Sequence, residues 1–417
     1  MTLIKTSILS AIATVIKMIN GFVVIKIVAV YVGPSGLAFI GQFQNFVSML
    51  MSFATGAING GVVKYTAEYR EDEQEKQRLW STALRISLGA TFFTSLMLLL
   101  FHNYLSILFF KTDAYGSIFV IFAVTLVLFV LNALLLAILN GQKEIKKLTI
   151  VNIVSSFVGL LLTGTLAYFY GLYGALVSYT TGQALIFFVT LAFVIKSQWF
   201  KVQLFSRQLD KEYLNKLGKY TAMAITTALT VPVSQMIIRN YIGETLSWTE
   251  AGYWEGVWRI SGTYLMVITT TLSVYYLPRL SEIQDNEELR NEIFYGYKII
   301  MPIVISLALG IYFLKDVAIL LLFTDDFMPM RDLFFYQLIG DVFKIASWLL
   351  GFIMVAKAMT KTFIITEIGF SVSFVVLSMV LIKQYGLIGV TMAFSINYMI
   401  YFMLMVYLFR NMLRKTR

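Results

Sequence analysis

Apolar residues run in blocks of twenty or more from one end of this chain to the other, separated by short polar connections. Each block is long enough to cross a hydrocarbon layer ~30 Å thick as a helix rising ~1.5 Å per residue. The pattern predicts twelve spans, at 4–32, 37–63, 79–101, 117–140, 148–170, 174–195, 220–241, 251–278, 293–314, 333–356, 362–382 and 387–409. The expected class is an all-α membrane protein, because helices satisfy their own backbone where no water is present. The first block is too long for a signal-peptide core, and its Ala11-Ile12-Ala13 site comes too early for cleavage, so it is expected to remain as span 1.

The polar connections carry two further patterns. Lys and Arg alternate in density, with twenty-three on one side, including the stretch Lys196 to Lys219 and the terminal Arg410 to Arg417, against five on the other. The positive-inside rule then predicts that both termini are cytoplasmic. The chain also repeats itself at an offset of 213–215 residues. Glu68-Tyr-Arg-Glu-Asp-Glu resembles Glu282-Ile-Gln-Asp-Asn-Glu, Phe110-Lys-Thr-Asp resembles Phe323-Thr-Asp-Asp, and Tyr170-Gly-Leu-Tyr-Gly-Ala resembles Tyr385-Gly-Leu-Ile-Gly-Val. Three matches at one offset, each at the same place in a six-span unit, predict two parallel six-helix lobes around a central cavity. The lobes are expected at 1–195 and 220–417. Residues 196–219 form a cytoplasmic linker whose LFSRQLDKEYLNKL segment is amphipathic enough to lie on the membrane surface. The two longest outer connections, 102–116 and 315–332, read either as interfacial helices or as packed loops.

Composition narrows the chemistry. The 417 residues are 59% hydrophobic and 13% charged, with no Cys, one His and a net charge of +10. Thiolate chemistry is absent, and a metal site or imidazole relay has almost nothing to build on. No cofactor is expected, and the excess charge reads as topology rather than nucleic-acid binding.

Charges inside the spans are the candidate functional groups, since each costs roughly 2.5–3.5 kcal/mol at membrane depth unless it lines a cavity or is paired. Asp341 and Lys344 lie three residues apart near mid-membrane, where they read either as an ion pair locking helices or as a polar patch on a substrate path. Lys17 falls in the middle of span 1. Lys26 lies nine residues on and faces the opposite way unless the helix bends at Asn20-Gly21. Glu255 and Arg259 stand at i,i+4 in span 8, beside Trp254 and Trp258, which fit an interfacial aromatic belt or, alternatively, sugar stacking. Arg239 lies near the outer end of span 7. Arg85 is close enough to the inner end of span 3 to snorkel. Glu367, whose repeat partner is Asn152, fits a coupling-ion site or a polar interhelical contact, and Asp341 is a second candidate for that ion. Lys17, Lys26, Arg239, Arg259 and Lys344 outnumber Glu255, Asp341 and Glu367, and a cavity so charged selects anions such as phosphate or carboxylate.

The stretches GPSGLA (33–38), NGGVVKYTAEY (59–69), SVYYLPRLSE (273–282) and MRDLFFYQLIGDVFK (330–344) carry an end-to-end resemblance to a known family. The chain resembles the Wzx-type flippases of the multidrug/oligosaccharidyl-lipid/polysaccharide exporter superfamily, especially the branch serving enterobacterial common antigen and related O-antigen units. That resemblance implies a bacterial inner-membrane protein that turns an undecaprenyl-pyrophosphate-linked oligosaccharide across the bilayer by alternating access. It also implies that the polysaccharide polymerase and chain-length regulator act beside it. Under it, the seven groups Lys17, Lys26, Arg239, Glu255, Arg259, Asp341 and Lys344 are expected to meet the pyrophosphate and sugars. A cation-coupled drug exporter is the alternative in the same superfamily, and a membrane polysaccharide polymerase is the alternative among enzymes. No Walker-type GxxxxGK[ST] is present.

Overall fold

The computed structural model describes residues 3–207 and 209–413 and is helical throughout, with no strand among the described residues. The first half runs α1 (Leu3–Tyr31), α2 (Gly33–Ala54), α3 (Asn59–Glu68), α4 (Glu73–Phe110), α5 (Gly116–Gly141) and α6 (Ile145–Ile195). The second runs α7 (Lys211–Thr245), α8 (Trp248–Thr271), α9 (Leu277–Glu282), α10 (Asn286–Leu322), α11 (Phe334–Ala356), α12 (Thr360–Tyr385), α13 (Ile388–Leu408) and the short α14 (Arg410–Leu413). Among the described residues nine of these are long and apolar enough to cross a membrane. The 51-residue α6 holds two crossings, and α7 and α8 supply the remaining two helices of span length. Every predicted span is therefore helical over most of its length, the second being interrupted at 55–58, and the chain is an integral membrane protein.

The duplication is written into the backbone. Gly171 breaks α6 at φ 54, ψ −132, and Gly386 ends α12 at φ 62, ψ −146. Only glycine occupies that region without strain. Three residues further on, a Cβ at Gly174 would stand 1.9 Å from the carbonyl oxygen of Leu166, and one at Gly389 would stand 2.2 Å from that of Leu381. All three pairs of positions are 215 apart. Lys143 and Ala358, at the same offset, both adopt positive φ although their surroundings no longer look alike in sequence. Asp72 caps α4 by accepting from the amides of Gln74 and Glu75, and Asp285 caps α10 by accepting from that of Glu288. The acidic turns thus keep one job, starting the next helix.

The chain forms two compact units, one of residues 1–32 and 39–232, the other of residues 33–38 and 233–417. In the first, Phe43 sits among Phe46, Phe110, Phe119, Phe122 and Tyr179, so aromatic packing dominates the interior. The Asn132 amide donates to Gln183 at 3.0 Å and accepts from Thr190 at 2.6 Å. In the second unit, α8, α10, α11 and α13 enclose a long apolar cluster running from Leu265 to Phe409.

The backbone bears on three readings of the sequence. The outer connections hold no separate interfacial helices. Instead α4 continues through its apolar run to Phe110, and Lys111 closes it in the left-handed region. The helix α10 likewise continues to Leu322, followed by a 3-10 turn at Asp325–Leu333. Nothing in those runs breaks a helix, so the span simply extends. The stretch 202–219 is not one surface-lying helix. It forms a 3-10 turn at Val202–Phe205, after which α7 begins at Lys211 and runs directly into the span. Leu204, Tyr213 and Leu217 are buried against Leu79, Trp80 and Val62, while Arg78 pairs with Asp210 at 2.7 Å and with Glu212 at 2.8 Å. Finally, α1 is one unbroken helix through Asn20-Gly21.

Candidate functional site

The membrane-depth charges of the second unit gather on α7, α8, α11 and α12. Glu255 stands at their centre with 5% exposure, bridging two guanidiniums. Its Oε2 takes Arg239 Nη2 at 2.5 Å from α7, and its Oε1 takes Arg259 Nε at 2.8 Å from one turn along α8. The i,i+4 spacing made the second contact legible in the sequence. The first depends on α7 packing beside α8. Arg239 is 1% exposed and lies 5.5 Å from the Trp254 ring centroid, so it is sealed between a carboxylate and an indole. The Arg259 side chain keeps 17% exposure and is the arginine with an accessible edge.

One turn deeper, Asp341 is fully buried on α11. Its Oδ2 accepts from Ser261 at 2.5 Å and from Tyr264 at 2.8 Å, both on α8, and its Oδ1 accepts from Gln337 at 3.3 Å. This arrangement bears on the two readings of Asp341 and Lys344, an ion pair or a polar patch. Among the described residues no ion pair within 4.0 Å joins them. Three residues of helix put Asp341 toward α8, whose hydroxyls reach it first, and turn Lys344 toward a different set of neighbours. Lys344 Nζ lies 5.6 Å from the Trp258 ring, 5.0 Å from Trp348 and 5.9 Å from Tyr398. Aromatic faces hold a desolvated ammonium through the ring quadrupole. Asp341 still acts electrostatically on Lys344 through space, ahead of Glu367, which is half-buried on α12 and acts on both Lys344 and Tyr398.

Of the two tryptophans, Trp254 is walled into the protein and Trp258 is half-buried. Trp254 is 1% exposed, and the two rings pack 5.8 Å apart with Phe394 beyond Trp258. Arg239 lies against the Trp254 ring and Lys344 against that of Trp258. Sequence reading missed Ser261, Tyr264, Gln337, Trp348 and Tyr398. Only Gln337, at i−4 from Asp341, had a local signal.

The two lysines of α1 belong to the first unit. Lys17 is exposed and Lys26 half-buried, nine residues apart on an unbroken helix, so they point to different sides. Arg85 is exposed near the inner end of its span, and its Nε donates to the Arg207 carbonyl at 3.0 Å. Within the second unit, three cations (Arg239, Arg259, Lys344) meet three carboxylates (Glu255, Asp341, Glu367). The candidate charges of the second unit are thus balanced, and the two further cations counted from the sequence are the lysines of α1, a helix with no acid.

Residues 43–332 match the model of a family described as polysaccharide biosynthesis proteins. The lipid III flippases of Escherichia coli (strain K12) and Shigella flexneri are each 32% identical to this chain over 410 residues, covering 97% of it and 97% of their own length. Among solved structures, an inward-facing MATE-family multidrug resistance transporter of the MOP superfamily superposes with a TM-score of 0.79 at 14% identity, covering 97% of this chain and 96% of the other. The lipid II flippase MurJ in its inward closed conformation gives 0.73 at 17% identity, covering 98% and 87%. At such identities the structures speak for the fold alone.

Proposed function

Since the chain belongs to the polysaccharide biosynthesis protein family, we propose that it is a flippase for a lipid-linked oligosaccharide. It carries an undecaprenyl-pyrophosphate-linked repeat unit from the cytoplasmic to the periplasmic leaflet of the bacterial inner membrane by alternating access, for O-antigen or enterobacterial common antigen synthesis. The observation that carries this reading is the end-to-end 32% identity with two lipid III flippases. Its work is transport rather than bond-making, with both termini cytoplasmic and the polymerase and chain-length regulator receiving what it delivers.

Residue roles divide by burial. Arg259 and Lys344, with Lys17 and Lys26 on α1, supply positive charge for the pyrophosphate. Arg offers a planar fork and Lys a point charge. Arg239 and Glu255 hold Arg259 in place from behind. Asp341, set among hydroxyls and an amide, and Glu367 beside Lys344 are the groups for a coupling ion. A drug exporter moving cations needs an acidic surplus. Here cations and acids balance in the second unit and α1 adds only lysines.

The test is complementation. Expression in strains lacking either the O-antigen flippase or the enterobacterial common antigen flippase should restore polymerised glycan in one of them. Normal membrane levels with no restoration in either strain overturn the reading.

A further inference from the structure

Helices α10 and α11 carry facing apolar stripes at helical spacing, with Ile305, Leu309 and Tyr312 on one and Phe335, Leu338 and Val342 on the other. The stripes do not close on each other. A cavity of about 250 Å³ remains between them, with the short side chain of Ala308 leaving room in its wall. Leu309 is 52% exposed, Phe313 78% and Phe335 50%, so the cavity opens on a face made for lipid rather than water. At ~30 Å³ per carbon-sized group it holds about eight such groups, which suits a segment of one branched chain and not two acyl chains side by side.

One end of this groove is cationic. Tyr312 and Phe335 meet edge to face at 6.1 Å, and Lys315, one turn on, places Nζ 4.0 Å from the Tyr312 ring centroid. The neighbouring Asp316 is taken by Arg331 at 3.1 Å. Among the described residues Lys315 makes no ion pair, so its ammonium is open to an anion from outside. An apolar slot with an ammonium at its mouth is complementary to one amphiphile class, a single hydrocarbon chain ending in phosphate.

The geometry points to this groove as the seat of one polyprenyl chain, held between α10 and α11 with its phosphate at Lys315. The inference rests on the lipid-linked substrate reading and deepens it by giving the tail a place. Lys315 lies at the end assigned to the periplasm, so the site holds the carrier lipid on the delivery side. Leu338 and Val342 line the groove, while Gln337 and Asp341, their neighbours on α11, face α8. One helix thus senses the tail on one side and carries the buried carboxylate on the other.

Native mass spectrometry of the full-length detergent-solubilised protein tests this, using undecaprenyl phosphate in competition with dioleoyl phosphatidylglycerol. The protein should retain undecaprenyl phosphate in preference to phosphatidylglycerol. Ala308→Phe, which fills the slot, should lower that retention about tenfold. Lys315→Gln should lower it about fivefold, the worth of one surface lysine near an anion, while retention of undecaprenol stays unchanged. Should Ala308→Phe fail to fold, a photo-reactive benzophenone at Leu309 in the otherwise unchanged protein should crosslink undecaprenyl phosphate. Equal retention of both lipids, or no crosslink at Leu309, overturns the site. Complementation by the same protein separates the two proposals. Restored glycan without groove binding sinks only the groove, and groove binding without restored glycan sinks only the flippase reading.

Discussion

Glu255 is one carboxylate shared by two arginines, and that sharing decides what its loss does. Removing it leaves Arg239, 1% exposed, as an unpaired buried charge. Breaking a buried pair from one side costs about 3–5 kcal/mol. Glu255→Gln is therefore expected to lower the amount of folded protein in the membrane. Arg259→Gln, at the accessible edge, should leave the level unchanged and lower glycan export; immunoblot and export assay on the same cells separate the two. Asp341 and Lys344 give a second contrast. Asp341 binds Ser261, Tyr264 and Gln337, and Lys344 rests among three aromatic rings. Exchanging the two side chains puts an ammonium among donors and a carboxylate against ring faces. The double variant Asp341→Lys, Lys344→Asp is thus expected to be no better than either single change, read as membrane level and export. Recovery by the swap would mean that the two charges see mainly each other. The sequence placed these charges at membrane depth, but partners arriving from other helices were invisible in it.

At the scale of the element, the duplicated glycines are the most exacting features. Gly174→Ala drives a Cβ into the Leu166 carbonyl, and Gly171→Ala forces a side chain into a backbone region costing about 1–3 kcal/mol. Gly159, on the same helix, has nothing within 4 Å of an added Cβ, so Gly159→Ala should be neutral or stabilising by up to about 1 kcal/mol. Thermal unfolding of the purified variants should rank Gly174→Ala lowest and Gly159→Ala at or above the parent, and equal melting for all three would remove the close approach. The linker is the second element with a measurable signature. Hydrogen bonding to the Arg78 guanidinium holds the Asp210 carboxyl below its ordinary value. A carboxylate depressed in the folded state stabilises fully above the ordinary pKa of about 3.9 and loses that contribution as pH falls through the lower folded value. A spin label at the exposed Val202 should stay equally restrained from pH 8 to 5 and loosen only below about pH 4. Loosening already at pH 6 would assign the docking to some other group. The repeat was legible in three sequence motifs. Its fourth mark, positive φ at Lys143 and Ala358, was not, because the backbone kept a turn after the side chains had diverged.

For the molecule as a whole, the loop charges predict topology. Reporter fusions at Ser206 and at the C-terminus should read cytoplasmic and a fusion at Asp113 periplasmic, and a cytoplasmic signal at Asp113 would break the twelve-span order.

What the sequence determined by itself is whatever follows from continuous stretches of chain. Twelve apolar blocks became helix, since a backbone in lipid has no other partner than itself. The Glu255–Arg259 contact followed from one turn of helix, and the resemblance carried by four short motifs agreed with the family. Tertiary structure alone decided which charges meet. It brought Arg239 to Glu255 across sixteen residues and Ser261 to Asp341 across eighty, set Lys344 among aromatic rings, and buried Trp254, one of two tryptophans whose spacing also fitted a belt. The reason is physical. Depth in the membrane is set by distance along one helix, whereas the direction a side chain finally faces is set by which neighbouring helix satisfies it first.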